Sequence, residues 1–249
     1  MEMTKPQQYR ARVSEKYYLT DNKKYLLVKL ELVEPARIEY KAGQYVSIKI
    51  NKEGERRSYS IVSTPDVEHG LTLVVEILPD GKGSEYLVEI EIGVEVELLG
   101  PLGQFSVCSD QFAGEVKRLF VATGSGITPL YSMINDLLVN KHESGQIRLH
   151  WGMRSEADLF WTDNLQRLTE EYPNFVFDQV LSQPGEGWSL CTGHVQDCLV
   201  RDFTSGGSLQ VLSEGWEAYV CGGKEMVEEV KEKLVELGMQ EDKIFEEKY

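Results

Sequence analysis

The sequence predicts two domains of different class: an antiparallel β-barrel over residues 1–111, then an α/β domain with a doubly wound parallel sheet over residues 112–249. Three observations carry this expectation. Before the boundary, short β-favouring segments are punctuated by turns rich in Gly, Asp and Lys. After it, apolar strand-like segments alternate with helical stretches, the pattern of a parallel sheet with crossover helices. Several of those later strands also run straight into glycines or a cation, where a ligand rim is expected.

In the first domain, strands are expected at 9–13, 24–32, 44–50, 56–62, 71–78 and 95–99. Turns such as Lys41-Ala42-Gly43, Lys52-Glu53-Gly54 and Asp80-Gly81-Lys82-Gly83 separate them at barrel spacing. One helix interrupts, starting near Ser84 and running through Ile90. Gly83 lets the backbone come close there and Ser84 is a good N-cap, so the first-turn amides form an anion site. Strand 56–62 carries Arg57-Ser58-Tyr59-Ser60, followed by Ile61 and Ser63. Alternate side chains of a strand share a face, so Arg57 and Tyr59 lie together and Ser60 faces the other way. A planar, permanently charged fork beside a flat ring suits a phosphorylated, planar ligand. The plainer alternative is a half-exposed strand with a surface Arg and a packed Tyr. Gly100-Pro101-Leu102-Gly103-Gln104-Phe105 reads as a turn and strand, and 108–116 as a linker, with the boundary near 112.

In the second domain, strands are expected at 117–123, 146–152, 174–181, 218–221 and 244–245, with helices at 129–140, 161–171, 195–203 and 224–237. The first strand ends in Thr123-Gly124-Ser125-Gly126-Ile127-Thr128-Pro129. Two glycines ahead of a helix start offer a pyrophosphate close backbone approach and unpaired amides, although neither GxGxxG nor a Walker motif is matched. Gly152, Arg154, Cys221 and Gly222 end further strands on the same rim. Cys221 has two readings, a buried structural thiol or one whose pKa is lowered by the following helix dipole.

Composition narrows the function classes. The formal charge of −15 argues against nucleic acid or an anionic membrane as partner. Residues 1–41 are the exception, with nine basic against six acidic groups, and read either as an ordinary solvated surface or as a docking face for an acidic partner. The start of the chain has no apolar signal segment and no long apolar run follows, so a cytoplasmic, soluble protein is expected. Four scattered cysteines predict no disulfide framework, and no CxxC spacing exists for zinc or an iron–sulfur cluster. Four histidines without HExxH speak against a metal hydrolase.

Six collinear motifs, Arg57-Ser58-Tyr59-Ser60, Gly81-Lys82-Gly83-Ser84 with Leu87, Gly100-Pro101-Leu102-Gly103 with Phe105, Gly124-Ser125-Gly126-Ile127-Thr128-Pro129, Cys221-Gly222-Gly223 and Glu247-Lys248-Tyr249, resemble the ferredoxin–NADP reductase family of flavoproteins. The resemblance implies an N-terminal FAD-binding barrel and a C-terminal pyridine-nucleotide domain. By it, Arg57 pairs with the flavin pyrophosphate, Tyr59 stacks on the isoalloxazine, and Ser60 bonds near N5. Ser58, Ile61 and Ser63 belong to the same flavin wall, and Gly83 and Ser84 hold the pyrophosphate. Gly124, Gly126, Thr128 and Gly222 are expected on the nucleotide, Cys221 beside its nicotinamide, Glu247 in proton balance, and Tyr249 over the flavin. Hydride passes from NADP(H) or NAD(H) to FAD, and electrons then pass singly to a ferredoxin or flavodoxin-like carrier. Ser182-Gln183 stands where NADP-preferring relatives have Ser-Arg, so Arg154 is the candidate for the 2′-phosphate. The alternatives are the reductase component of a multicomponent oxygenase, an NADH-dependent flavin reductase, and a non-catalytic subunit of an electron-transfer complex.

Overall fold

The computed structural model describes residues 5–107, 116–204, 212 and 215–249. The expected boundary near 112 and the linker before Val116 lie outside those residues. The chain divides into two compact units, Met1–Val107 with Tyr131–Asp136, and Cys108–Leu130 with Leu137–Tyr249.

The first unit holds β1 (Gln7–Tyr18), β2 (Tyr25–Glu34), β3 (Tyr45–Lys49), β4 (Arg56–Ser60), β5 (Gly70–Glu76), α1 (Lys82–Glu89) and β6 (Glu95–Leu102). The strands form one antiparallel sheet in the order β4-β3-β6-β1-β2-β5. A bridge between Ile61 and Leu73 ties the β4 side to the β5 side, so the sheet is a nearly closed barrel. Period-two alternation sends Tyr9, Ala11 and Val13 of β1 into the core, against Val28, Val46 and Leu73. The outward face explains the basic excess of residues 1–41. Arg10 pairs with Glu34 and Glu95, Arg12 with Glu95, Lys29 with Glu15, and Arg37 with Glu68. Much of the expected docking charge is thus neutralised across the sheet's own surface.

Helix α1 begins two residues before the expected start. Gly81 is its N-cap and caps with no side chain. The Ser84 hydroxyl is therefore not the N-cap; it donates to the Gly81 carbonyl at 2.8 Å from inside the first turn. The first helical bond is Glu85 N–H to Gly81 O, so the amides of residues 82–84 precede it and have no acceptor within the helix.

The second unit holds β7 (Lys117–Thr123), the first turn of α2 (Ile127–Asn135), β8 (Ile147–Met153), α3 (Thr162–Glu171), β9 (Phe175–Leu181), β10 (Cys191–Thr192), α4 (Val195–Thr204), β11 (Trp216–Gly222), α5 (Lys224–Glu236) and β12 (Ile244–Lys248), the rest of α2 belonging to the first unit. All neighbours in the sheet are parallel, in the order β10-β9-β8-β7-β11-β12. The order reverses direction between β7 and β11, which makes their carboxyl ends the topological switch point. The central strands are apolar and covered on both faces, as a parallel sheet requires.

Buried charges interrupt that core at Arg118, fully buried with Glu143 Oε2 at 2.6 Å and Glu217 Oε2 at 3.6 Å. Removing one member of such a cluster leaves a buried charge uncompensated. Arg118→Ala should lose about 3–5 kcal/mol of stability, read as a fall in the urea midpoint.

Cysteine spacing predicts no disulfide framework, yet one bridge joins Cys191 to Cys198, linking the short edge strand to α4. The seven-residue separation is closed by the turn between them, which the sequence pattern does not announce. No described helix is long and apolar enough to cross a membrane.

Candidate functional site

In the first unit, the site is built on β4 and α1. Register pairs Arg57 with Ile48 and Tyr59 with Val46, so these two side chains share a face, as the strand pattern predicts. Ser58 and Ser60 pair with Ser47 and Tyr45 on the opposite face. Gly83 makes the approach of α1 possible. A Cβ there would lie 2.4 Å from the Tyr59 hydroxyl and 2.6 Å from Arg57 Cγ. The glycine, the arginine and the ring therefore converge on one spot, beside the unpaired first-turn amides.

The Arg57 guanidinium is held by Glu55 at 2.6 Å, and Lys82 reaches the same carboxylate at 3.2 Å. These hydrogen bonds, the one from Arg57 foremost, hold the Glu55 carboxyl below its usual range. Glu55 is a participant that the sequence pattern does not single out, since its role appears only when β4 and α1 meet. Burial pushes the Tyr59 phenol up to about 12, so it stays a neutral ring. Ile61 is fully buried in the barrel core. The Ser63 hydroxyl accepts from Tyr40 at 3.0 Å and from the Thr72 amide at 3.2 Å.

In the second unit, β7 ends in Thr123 and turns through Gly124-Ser125-Gly126 into α2. Gly124 adopts a φ of +54°, which favours glycine. Its carbonyl accepts the Trp151 indole N–H at 3.1 Å, and the Thr128 hydroxyl donates to the Ser125 carbonyl at 2.8 Å. Both contacts fix the loop from within. Across the switch point, a Cβ on Gly126 would lie 2.3 Å from the Cys221 carbonyl oxygen and 3.0 Å from the Gly222 nitrogen. A Cβ on Gly222 would lie 2.4 Å from Thr123 Oγ1. The two glycine runs are thus packed backbone to backbone.

Cys221 is buried, and of its two readings the structure supports the buried thiol over the dipole-lowered one. Burial, with the neighbouring Glu247 charge adding to it, pushes its pKa up, so it is a neutral thiol. The helix dipole is a weaker influence than desolvation here. Glu247 lies opposite Cys221 in the β11–β12 register. Burial pushes its carboxyl up to about 7.

Tyr249 follows β12. Its hydroxyl donates to the Thr123 carbonyl at 2.8 Å and accepts from the Gly126 amide at 3.1 Å. Thus the terminal phenol sits on the glycine loop. Arg154, just past β8, donates from Nε to the Gln183 side chain at 3.0 Å. Together these place Gly124, Gly126, Cys221 and Gly222, expected on the nucleotide, around one strand rim with Glu247 and Tyr249, expected in proton balance and over the flavin.

A barrel with a phosphate-and-ring wall and a parallel sheet with a glycine loop at its switch point define a two-domain nucleotide-using flavoprotein. Comparison with known proteins agrees. Residues 10–107 match the oxidoreductase FAD-binding domain and residues 120–232 the oxidoreductase NAD-binding domain. The chain belongs to the ferredoxin reductase-like family that this pair of domains defines, with one domain of the FAD-binding and one of the NAD-binding type.

Among similar proteins is the reductase component DmpP of phenol 2-monooxygenase from Pseudomonas sp., 30% identical over 97% of this chain and 65% of that protein. Another is the CDP-6-deoxy-L-threo-D-glycero-4-hexulose-3-dehydrase reductase of Yersinia pestis, 29% identical over 90% of this chain and 64% of that protein. The chain thus spans just under two thirds of these relatives' length. Among solved structures, the Amycolatopsis cytochrome P450 reductase GcoB superposes with a TM-score of 0.86 at 28% identity, covering 98% of this chain and 70% of that one. A ferredoxin–NADP+ reductase from Plasmodium falciparum shares the fold, with a TM-score of 0.79 at 23% identity over 97% and 96% of the two chains.

The residues fit the two groups. A Cβ-free cradle at Gly83 and the guanidinium of Arg57 suit a pyrophosphate, and the amide of Gly126 already accommodates an oxygen acceptor.

Proposed function

We propose that this chain is an FAD-dependent NAD(P)H oxidoreductase that serves a separate protein acceptor. The observation that carries the reading is the convergence of Arg57, Tyr59 and the Cβ-free Gly83 at a helix start. When bound, FAD would supply the hydride-accepting and one-electron-donating chemistry. The chain's own residues bind and orient. Arg57 holds the flavin pyrophosphate with the first-turn amides at Gly83 and Ser84, Tyr59 covers the ring, and Ser60 bonds near its reacting edge. Ser58, Ile61 and Ser63 support that wall. Gly124, Gly126, Thr128 and Gly222 shape the nucleotide site, and Cys221 offers a neutral thiol to the nicotinamide. Tyr249 has to move for the nucleotide to enter.

The acceptor in this reading is a ferredoxin or flavodoxin-like one-electron carrier. A second acceptor reading, an oxygenase component, is favoured by relatives described as reductase components of phenol and propane 2-monooxygenases. Working with reduced nicotinamide nucleotides, the protein is assigned to the cytoplasm. The test is anaerobic mixing of the purified yellow protein with NADH and NADPH in turn. Bleaching of the flavin by at least one supports the reading. A colourless protein, or a colour that neither nucleotide removes, overturns it.

Two residue roles carry their own expected results. The Arg154 guanidinium is fixed through Nε to Gln183, which leaves its outer fork to read a 2′-phosphate. Arg154→Ala should weaken NADPH binding by about 1.5–3 kcal/mol, the range for a charged hydrogen bond, with NADH unaffected. Equal losses for both nucleotides would remove Arg154 from that role.

Glu247 supplies the second. With its carboxyl near 7, it is protonated below neutrality and ionised above. Because the folded value is raised, its contribution to stability is full below the unfolded carboxylate range and is lost as pH rises through about 7. As a proton-balancing group it should impose a midpoint near pH 7 on the rate of nucleotide-driven flavin reduction. In Glu247→Gln that midpoint should vanish from the stopped-flow pH profile.

A further inference from the structure

Beneath α4, in the second unit, lies a polar cluster that the nucleotide chemistry does not use. His150 sits in the middle of β8, fully buried, and neither ring nitrogen has a hydrogen-bond partner. Asp178 lies opposite it in register on β9, with its Oδ2 3.8 Å from Nδ1. Asp202 comes from α4, with its Oδ2 3.6 Å from Nε2. One ligand atom from each of the three residues lies within 4.8 Å of the others.

We infer that His150, Asp178 and Asp202 form a binding site for a divalent transition-metal ion of the zinc class, which pins α4 to the sheet.

The chemistry of the donors sets the class. A buried imidazole with an unused lone pair is a poor neighbour for apolar packing and a good ligand. One nitrogen and two carboxylate oxygens suit zinc, cobalt or nickel, whereas magnesium and calcium prefer oxygen alone. Tetrahedral zinc with bonds of about 2.0–2.2 Å needs ligand atoms about 3.3–3.5 Å apart. The 3.6 Å between Nε2 and the Asp202 oxygen is already close to that. The remaining separation closes with side-chain adjustment, and the Asp178 and Asp202 side chains are 37% and 28% exposed. That exposure gives the ion a way in and leaves room for water as a fourth ligand.

With no hydrogen-bond partner at either ring nitrogen, a neutral imidazole keeps one nitrogen lone pair to offer an ion. Arg148 is the competing cation. Its Nη1 stands 3.3 Å from Asp202 Oδ2, and the guanidinium also lies over the Phe203 ring. It makes no hydrogen bond to the imidazole, so the histidine is left for another group.

The experiment uses the full chain, stripped with chelator and then titrated with zinc sulfate. Bound zinc is measured per chain after gel filtration, alongside the thermal midpoint and the flavin absorbance. The expected result is one zinc per chain and a raised midpoint for the native protein. Asp178→Asn and Asp202→Asn should each weaken binding on the order of 10–100-fold or more, with flavin absorbance unchanged. Arg148→Met removes the competitor and should tighten zinc binding. No zinc retained by the native protein, or the same zinc retained by both Asn variants, would overturn the assignment. The flavin readout is separate, so a failure of the reductase reading would appear there and not in the zinc count.

Discussion

Gly126→Ala should slow reduction of the flavin by nicotinamide nucleotide by about 100-fold while leaving FAD bound. The added Cβ would stand 2.3 Å from the Cys221 carbonyl oxygen and 2.7 Å from its carbonyl carbon. Both are backbone atoms at the end of a central strand, so no side chain can swing aside. Either the glycine loop or the Cys221-Gly222 turn has to shift, and the amide proposed to meet the nucleotide shifts with it. A displacement of about 1 Å can cost about 100-fold in a reaction that depends on alignment. Gly187→Ala is the control, because a Cβ there meets nothing within 4 Å. Stopped-flow traces with each nucleotide give the rate, and the visible spectrum gives the flavin content. A Gly126→Ala protein with the native rate would show that the loop does not position the nucleotide.

Gly83→Ala should produce the opposite phenotype, a protein that loses its flavin. Here the new Cβ meets side chains, at 2.4 Å from the Tyr59 hydroxyl and 2.6 Å from Arg57 Cγ. Those two can move, but they move away from the positions that make the wall. The expected loss is that of one charged hydrogen bond with part of a ring contact, about 2–3 kcal/mol. That corresponds to roughly 30–150-fold weaker FAD binding, measured by fluorescence titration of the apoprotein. Retention of native affinity would detach β4 and α1 from the flavin site.

Much of the architecture is legible in the sequence because it depends on local pattern. Period-two alternation in β1 and the continuous apolar runs of β7 and β11 distinguish an antiparallel barrel from a parallel sheet. The glycines at 83, 126 and 222 are visible too, since each marks a place where backbone must pass close to something. What they pass close to is not visible. Glu55 earns no notice in a strand-edge turn until Arg57 and Lys82 both reach it. The Cys191–Cys198 bridge and the His150 cluster join residues from different elements. Cys221 shows the same limit from another side: the adjacent helix start is apparent in the sequence, but the burial that overrides it arises only from packing. The basic surplus at the start of the chain likewise looks available until β1, β2 and β6 set carboxylates beside it.

The phenol of Tyr249 resting on the Gly126 amide is a tethered competitor for that amide. For a nucleotide that takes up the position proposed for it, entry exchanges the two hydrogen bonds of the phenol for its own. Apparent affinity is then the intrinsic affinity scaled by the fraction of molecules with the tyrosine withdrawn. The same attachment works in the other direction after turnover. Because the competitor is held by β12 and does not diffuse away, its return is unimolecular and independent of any ligand concentration. A loop that binds its nucleotide less tightly for this reason is also one that exposes the site sooner to the next.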